Sequence, residues 1–258
     1  MSMIAGIPHI LPDWPAPDNI VALVTTRGEP VAGDPYSAFN LAQHVGDHTA
    51  SVSARRDRLI AACDGLQRIQ WLEQVHGTAV AEVTAEAPGN IPQADAATTR
   101  FTGVACAVMT ADCLPLLICD RHGQQVAAVH AGWRGLLHGV IETTVAKFRV
   151  PTEQLLVWLG PAIGPEHYEV GEELRDAFLA DSRLPPSASA TAFRVGERRD
   201  GRQHYYADLY QLARMRLAAQ SVTAVYGGDF CTSAEAGRFY SFRRDGTTGR
   251  MTSLIYRL

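Results

Sequence analysis

Between residues 104 and 130 three apolar runs, Val104–Met109, Leu116–Cys119 and Gln125–His130, follow one another with only a few residues between them. Runs this short, bounded by turn residues, read as buried strands. The turn at Arg121-His122-Gly123 joins the last two. Leu136, Leu137, Val140, Ile141, Thr144, Val145 and Phe148 then recur at helical spacing, which predicts an amphipathic helix over 135–149. Further strands are expected at Ile20–Thr26, 68–75, 78–84, Leu155–Leu159, 222–226, 238–242 and 252–257. Helices are expected at Thr49–Cys63, with Thr49 as N-cap, at 171–180 and at 208–219. Asp34 to Asp47 and Glu86–Ala97 read as loops, and the polar stretch 181–204 as a mobile surface excursion. Strands and helices mix without strict βαβ alternation, so the expected class is α+β, with mixed β-sheets flanked by helices. No repeat or clean linker divides the chain. One domain over 1–258 is expected, with 1–19 as a Pro-rich lead-in.

Composition narrows the functional classes. The 258 residues are 47% hydrophobic and 19% charged, ordinary for a globular chain and unlike a disordered one. The net charge is −4, and the densest basic run is Arg55, Arg56 and Arg58. The overall field therefore gives no reason to expect nucleic acid or an anionic membrane as partner. The first residues, MSMIAGIPHILPDWPAP, lack a basic n-region and carry prolines, a poor signal peptide. No stretch reaches the roughly 18 apolar residues that span a bilayer. Five cysteines, an odd and irregular set, point to reduced thiols and a cytoplasmic setting.

Three segments hold metal-competent side chains: QVHG (74–77), TADCLP (110–115) and VHAGWRG (129–135). Each places one such residue, His76, Cys113 or His130, where an expected strand gives way to a turn. Two imidazoles and a thiolate form a three-ligand set of the kind that leaves a fourth zinc position open. Bound zinc would lower the pKa of a water to about 7. Spacing does not by itself select this reading. Each histidine is also consistent with a hydrogen-bonded packing role. Cys113 is consistent with a small buried hydrophobe, or with a nucleophile that uses His76 or His130 as base. His44 and His48 are four apart, but in a Gly-containing loop rather than on a clear helix.

FNLAQHVGD, WLEQVHG, ADCLPLLICD, VAAVHAGWRG, WLGPAIGPEHYEVG and SFRRDGTTGRM, in this order, resemble the YfiH-like or laccase-domain family from about residue 20 to the C-terminus. That family is described variously as polyphenol oxidase, purine nucleoside phosphorylase and peptidoglycan editing factor. The resemblance implies zinc on His76, Cys113 and His130. It implies phosphorolysis of adenosine, inosine, guanosine and methylthioadenosine, and deamination of adenosine. Deamination needs activated water and a proton carrier; phosphorolysis needs a held dianion. Asn40, His44 and Arg56 are candidates for that anion, with Arg134, Gly132 and Gly135 at an expected helix start. Asn40 is equally a loop-closing residue, and Arg56 equally a solvated one.

Asp112 reads as a proton carrier, as an orienter of a ligand histidine, or as a turn-capping carboxylate. Gly160 to Pro165 reads as a rigid turn. Arg243 and Arg244 either line the site or pair with Asp245. Trp71, Trp133, Trp158, Tyr168 and Phe242 include possible stacking partners for a purine, though core packing suits most of them. A copper polyphenol oxidase fits less well, because the nine histidines include no His-x-His pair. A peptidoglycan-precursor editing hydrolase would use the same zinc site or a Cys113 nucleophile. A metal-binding protein without turnover is the remaining alternative. The expected partners are small molecules, a nucleoside and phosphate, and nothing in the sequence sets an oligomeric state.

Overall fold

The computed structural model describes residues 2–4, 6–87, 89–199 and 201–258. Its strands, in chain order, are β1 (Ser2–Ile4), β2 (Ile7–Ile10), β3 (Ile20–Thr25), β4 (Arg68–Gln70), β5 (Val80–Val83), β6 (Ala96–Thr99), β7 (Val104–Thr110) and β8 (Leu114–Asp120). Then come β9 (Val126–Ala131), β10 (Leu155–Leu159), β11 (Glu169–Gly171), β12 (Phe193–Arg199), β13 (Arg202–Ala207), β14 (Ala224–Gly227) and β15 (Met251–Arg257). The helices are α1 (Thr49–Ala62), α2 (Trp133–His138), α3 (Val140–Val145), α4 (Glu172–Ala180), α5 (Pro186–Ala190), α6 (Leu209–Ala219) and α7 (Phe242–Asp245). One mixed sheet runs β1-β2-β3-β15-β7-β4 and a second runs β14-β10-β8-β9-β6-β5. A smaller sheet, β11-β13-β12, lies apart from both.

Side-chain alternation along the strands builds the layers. On β8, Leu114, Leu116 and Ile118 join a core shared with α2, α3, α4 and α6, whereas Leu117 and Cys119 face the other way. Those two meet Val104, Cys106 and Val108 of β7 and Met251 and Ile255 of β15 between the two large sheets. The opposite side of β7, Ala105 and Ala107, packs with Leu59 of α1. The order is thus helix, sheet, sheet, helices, the α+β arrangement with mixed sheets that the sequence predicts. With both faces covered, β7, β8 and β9 are buried along their whole length, which is why they read as continuous apolar runs. No helix among the described residues is long and apolar enough to cross a membrane.

Several expectations are corrected. The helix predicted over 135–149 is two short helices, because Gly139 adopts φ +100° between them. A Cβ there would lie 2.5 Å from an Arg183 guanidinium nitrogen, so glycine permits both the turn and the close approach. Thr49 begins α1, but the N-cap position is His48. The expected loop 86–97 ends inside β6, and the lead-in supplies β1 and β2. The strand predicted at 238–242 is absent. Phe239 and Tyr240 are buried there without a ladder, Tyr240 Oη donating to the carbonyls of Tyr36 and Ser37. Their apolar character reflects burial rather than strand pairing.

Among the described residues, the polar stretch 181–204 carries regular elements, α5, β12 and the start of β13. Its anchor is Arg216, fully buried on α6, which bonds Glu142 at 3.2 Å and the Asp181 carboxylate. Burial pushes the Asp181 carboxyl up, but hydrogen bonds from Arg183 and Arg216 outweigh it and bring the pKa down to about 2. A depressed carboxylate contributes stability that is complete above its ordinary value of 3.8 and is lost as pH falls through about 2. Arg216→Ala is expected to cost about 2–5 kcal/mol at neutral pH, because it removes a fully buried side chain and takes a charged partner from Glu142 and Asp181, the latter keeping Arg183. Denaturant melts of both proteins should show the gap narrowing between pH 4 and pH 2. A gap that stays constant through acid would remove Asp181 from the account.

Candidate metal centre

His76, Cys113 and His130 come from three different segments and meet at one point. Their ligand atoms all lie within 4.8 Å of one another, the one such group of His, Cys, Asp or Glu found among the described residues. His130 is buried near the end of β9, Cys113 sits in the turn between β7 and β8, and His76 is exposed after β4. The His76 ring meets the His130 ring edge-on at 4.8 Å, and Cys113 Sγ lies 3.8 Å from His76 Nε2.

Two turns hold unusual backbone to achieve this. His76 has φ +59° and Asp112 has φ +98°, regions that non-glycine residues rarely occupy. The carboxylate of Asp95 stabilises the first turn. Its oxygens accept the backbone N–H groups of Val75 (3.2 Å), His76 (2.9 Å) and Gly77 (2.7 Å). The same carboxylate bonds His130 Nδ1 at 2.7 Å, leaving Nε2 as the nitrogen free to ligate. Asp95 is 0% exposed and so ties two of the three candidate ligands together from beneath. Gln74 adds a second fastening, since its amide exchanges two hydrogen bonds with the backbone of Met109 on β7.

The space around the cluster is reserved. A Cβ on Gly132 would lie 2.7 Å from His76 Cδ2 and 3.2 Å from Cys113 Sγ. A Cβ on Gly135 would lie 3.0 Å from the carbonyl oxygen of Gly77. Both glycines therefore allow α2 to press against the cluster, and this close packing is the role the structure gives them. Burial raises the Cys113 thiol, but the charge of His130 and hydrogen bonds from both imidazoles reverse this and lower its pKa to about 6. His130 is pushed the other way, to about 9. Burial opposes its charge, but the Cys113 and Asp95 anions outweigh it. Cys113 is thus set as a thiolate at neutral pH, the form that binds metals. Cys63 and Cys119, by contrast, are raised by burial to about 11 and about 12. The donor set, the poised thiolate and the glycine-lined hollow fit a single borderline-soft metal ion.

The cluster opens into a cleft of about 390 Å³ that also meets His44, Met109, Phe242 and Arg250. A neighbouring hollow shares His44, Gln74 and Met109 and adds Arg56 and Trp71. Of the residues expected to bind an anion, His44 and Arg56 therefore reach this region. Arg56 donates to the Leu41 carbonyl at 2.8 Å, lies 3.8 Å over the Trp71 ring, and is lowered by burial to about 10. Burial, then Arg250 and Arg56, lower the His44 pKa, which favours a neutral ring.

Asn40 is a correction. It is 0% exposed, and its amide is committed to Ala42, Asp47 and the Arg250 N–H, which closes the loop and leaves nothing for an anion. Arg134 is also corrected, for it is exposed, stacks 4.3 Å over Trp133 and does not line the cleft. Asp112 does not orient a histidine. It accepts from Thr232 Oγ1 at 2.6 Å and from the Arg243 N–H at 2.7 Å, so the orienting carboxylate is Asp95. Asp95 and Arg250 escaped the sequence reading. A lone carboxylate among alanines, Ala94-Asp95-Ala96-Ala97, was the signal for the first. Arg250 lies within the SFRRDGTTGRM run but carried no separate mark.

The sequence model of the multi-copper polyphenol oxidoreductase laccase family matches residues 21–258. A Pseudomonas aeruginosa protein named purine nucleoside phosphorylase is 49% identical over 247 residues, covering 96% of this chain and 97% of that protein. The Escherichia coli purine nucleoside phosphorylase YfiH is 48% identical, covering 96% and 98%. Among solved structures, a Neisseria meningitidis protein superposes with TM-score 0.87 at 46% identity, covering 96% of this chain and 98% of that one. YlmD from Geobacillus stearothermophilus superposes with TM-score 0.83 at 33% identity, covering 93% and 92%. Matched from residue 21 to its last residue and nearly half identical to full-length relatives, this chain belongs to the laccase-domain, YfiH-like family.

Proposed function

We propose that this chain is a zinc-dependent purine nucleoside phosphorylase that also deaminates adenosine. The observation that carries this reading is the His76–Cys113–His130 cluster at the base of a cleft that His44 and Arg250 also line. The names of the relatives support the nucleoside class. One cluster of two imidazoles and a thiolate suits a single zinc better than a set of coppers. Zinc bound there would supply a Lewis acid with an open position for water or substrate.

The chain's own groups account for the remainder. Asp95 fixes the His130 tautomer and, through the 75–77 amides, the placement of His76. Arg250 and the neutral His44 offer donors to a dianion beside the cluster, and Arg56 adds positive charge from the adjoining hollow. Asp112 remains a proton-carrier candidate by its position next to Cys113, though both its oxygens already accept hydrogen bonds.

Product analysis with adenosine tests the reading. With phosphate, adenine and ribose 1-phosphate are expected beside the deamination products; without it, only inosine and ammonia. Absence of both products from zinc-loaded protein would overturn it. A sharper expectation follows for the anion. Arg250→Ala should raise the apparent KM for phosphate roughly 10- to 100-fold, the scale of a charged hydrogen bond. Arg56→Ala should do so less, because Arg56 lines the adjoining hollow rather than the metal cleft itself. Deamination, which needs no phosphate, should survive both changes. Equal loss of the two activities would assign the arginines to structure.

A further inference from the structure

The sequence singles out Trp71, Trp133, Trp158, Tyr168 and Phe242 as aromatic residues to weigh against a purine, and the structure separates them. Trp158 is 2% exposed. Trp71, Trp133 and Tyr168 have arginine guanidinia over their rings at 3.8, 4.3 and 5.2 Å. Phe242 also has an arginine near its ring, Arg250 at 5.9 Å, and is set apart by its position. It is 60% exposed, and it lines the metal cleft.

An exposed phenylalanine is ordinary on a mobile loop, but this one stands on a firmly held base. Ser241 Oγ caps α7 by accepting the Arg244 N–H at 3.2 Å. Asp112 accepts the adjacent Arg243 N–H at 2.7 Å. The Arg244 side chain fastens the same turn to the carbonyls of Thr232, Ser233 and Phe239. Asp112 directly precedes Cys113, so these bonds tie the backbone that carries Phe242 to the metal cluster. The fold thus holds a large apolar ring in water at the mouth of a cleft that Met109 and Ala111 line on its apolar side and His44, Gln74 and Arg250 on its polar side, an arrangement that a planar ligand with polar edges would complete. Arg250 approaches the ring to 5.9 Å and marks the anionic side of the cleft.

We propose that Phe242 is the platform on which the base of the nucleoside stacks, with the sugar directed toward the metal and Arg250. This rests on the nucleoside reading above. It assigns substrate class to one residue: a planar heteroaromatic ring, with bicyclic bases favoured over monocyclic ones by stacking area.

Steady-state kinetics on the zinc-loaded enzyme, varying adenosine and phosphate separately, test it. Phe242→Ala should raise the KM for adenosine roughly ten-fold, the scale of losing one base–aromatic stack. The KM for phosphate and the metal content should stay at wild-type values. Phe242→Trp should retain tight adenosine binding, and Phe242→Leu, equally apolar but not planar, should resemble alanine. An adenosine KM within about two-fold of wild type in the alanine variant would overturn the proposal while leaving the nucleoside reading intact. So would full rescue by leucine, which would mean apolar bulk rather than stacking. A wild-type enzyme that turns over no nucleoside would defeat both. Because the ring is exposed, the variants should melt with the wild type, and a shared Tm confirms that the kinetics compare folded proteins.

Discussion

Cys113→Ala is expected to lose bound zinc and catalytic turnover together, the largest single effect in the molecule. Its sulfur is held as a thiolate by His130 and His76, and removal deletes the anionic member of the cluster. What remains is two imidazoles, one of them exposed, with an emptied space beside Gly132. The affinity lost should exceed the roughly 10- to 100-fold that follows removal of a group merely orienting a ligand. Elemental analysis of the purified protein, alongside turnover of adenosine, reads both consequences. Cys113→Asp should recover part of the metal, since a carboxylate also serves zinc. A nucleophilic role makes the opposite prediction. The alanine variant would then keep its full metal complement, and the native enzyme would show a substrate adduct on Cys113 by mass spectrometry. Full zinc with dead chemistry would move Cys113 from ligand to nucleophile.

Those three residues were legible in the sequence because each is a metal-competent side chain beside a turn, with Cys113 and His130 at the ends of apolar strands and His76 in the loop that follows the short β4. The runs themselves were legible for the same reason that the site is rigid: β7, β8 and β9 are covered on both faces and admit little but apolar residues. The resemblance of the six segments then chose among readings that spacing alone left open. What the sequence hid is direction and partnership. Asn40 and Arg134 have suitable chemistry, but one is turned into its own loop and the other onto a neighbouring indole. No periodicity reports where a loop side chain points. Gly139 sat inside a good helical pattern, and only its positive φ shows that the pattern spans two helices. Asp95 was hidden most completely, because three of its four donors are backbone amides, which carry no residue identity.

Asp95→Asn is the second change expected to act strongly, although it alters the side chain by a single atom. The wild-type carboxylate only accepts, and it meets four N–H groups: those of Val75, His76, Gly77 and the His130 ring. Oδ2 takes Val75 and Gly77, while Oδ1 takes His76 and His130. An asparagine must turn its NH2 toward one of these pairs, so one backbone donor, or two where His130 keeps Nε2 free to ligate, faces a donor in a site that is 0% exposed. At about 1–3 kcal/mol for each unsatisfied buried group, the loss of stability should be about 1–6 kcal/mol. Burial raises the Asp95 carboxyl, but His130 and the amides outweigh it and hold it below its ordinary value of 3.8. The contribution is therefore complete above that value and fades only in acid, so urea melts at neutral pH should show the whole effect. Zinc affinity should fall roughly 10- to 100-fold, because the His130 tautomer and the left-handed turn at His76 both lose their fixture. Competition with a chelator of known strength measures that fall. A variant that melts early yet binds zinc as tightly as wild type would confine Asp95 to holding the fold. A loss in both measurements, together with poorer rescue by excess zinc than Cys113→Asp shows, would make this buried carboxylate the part that builds the metal site.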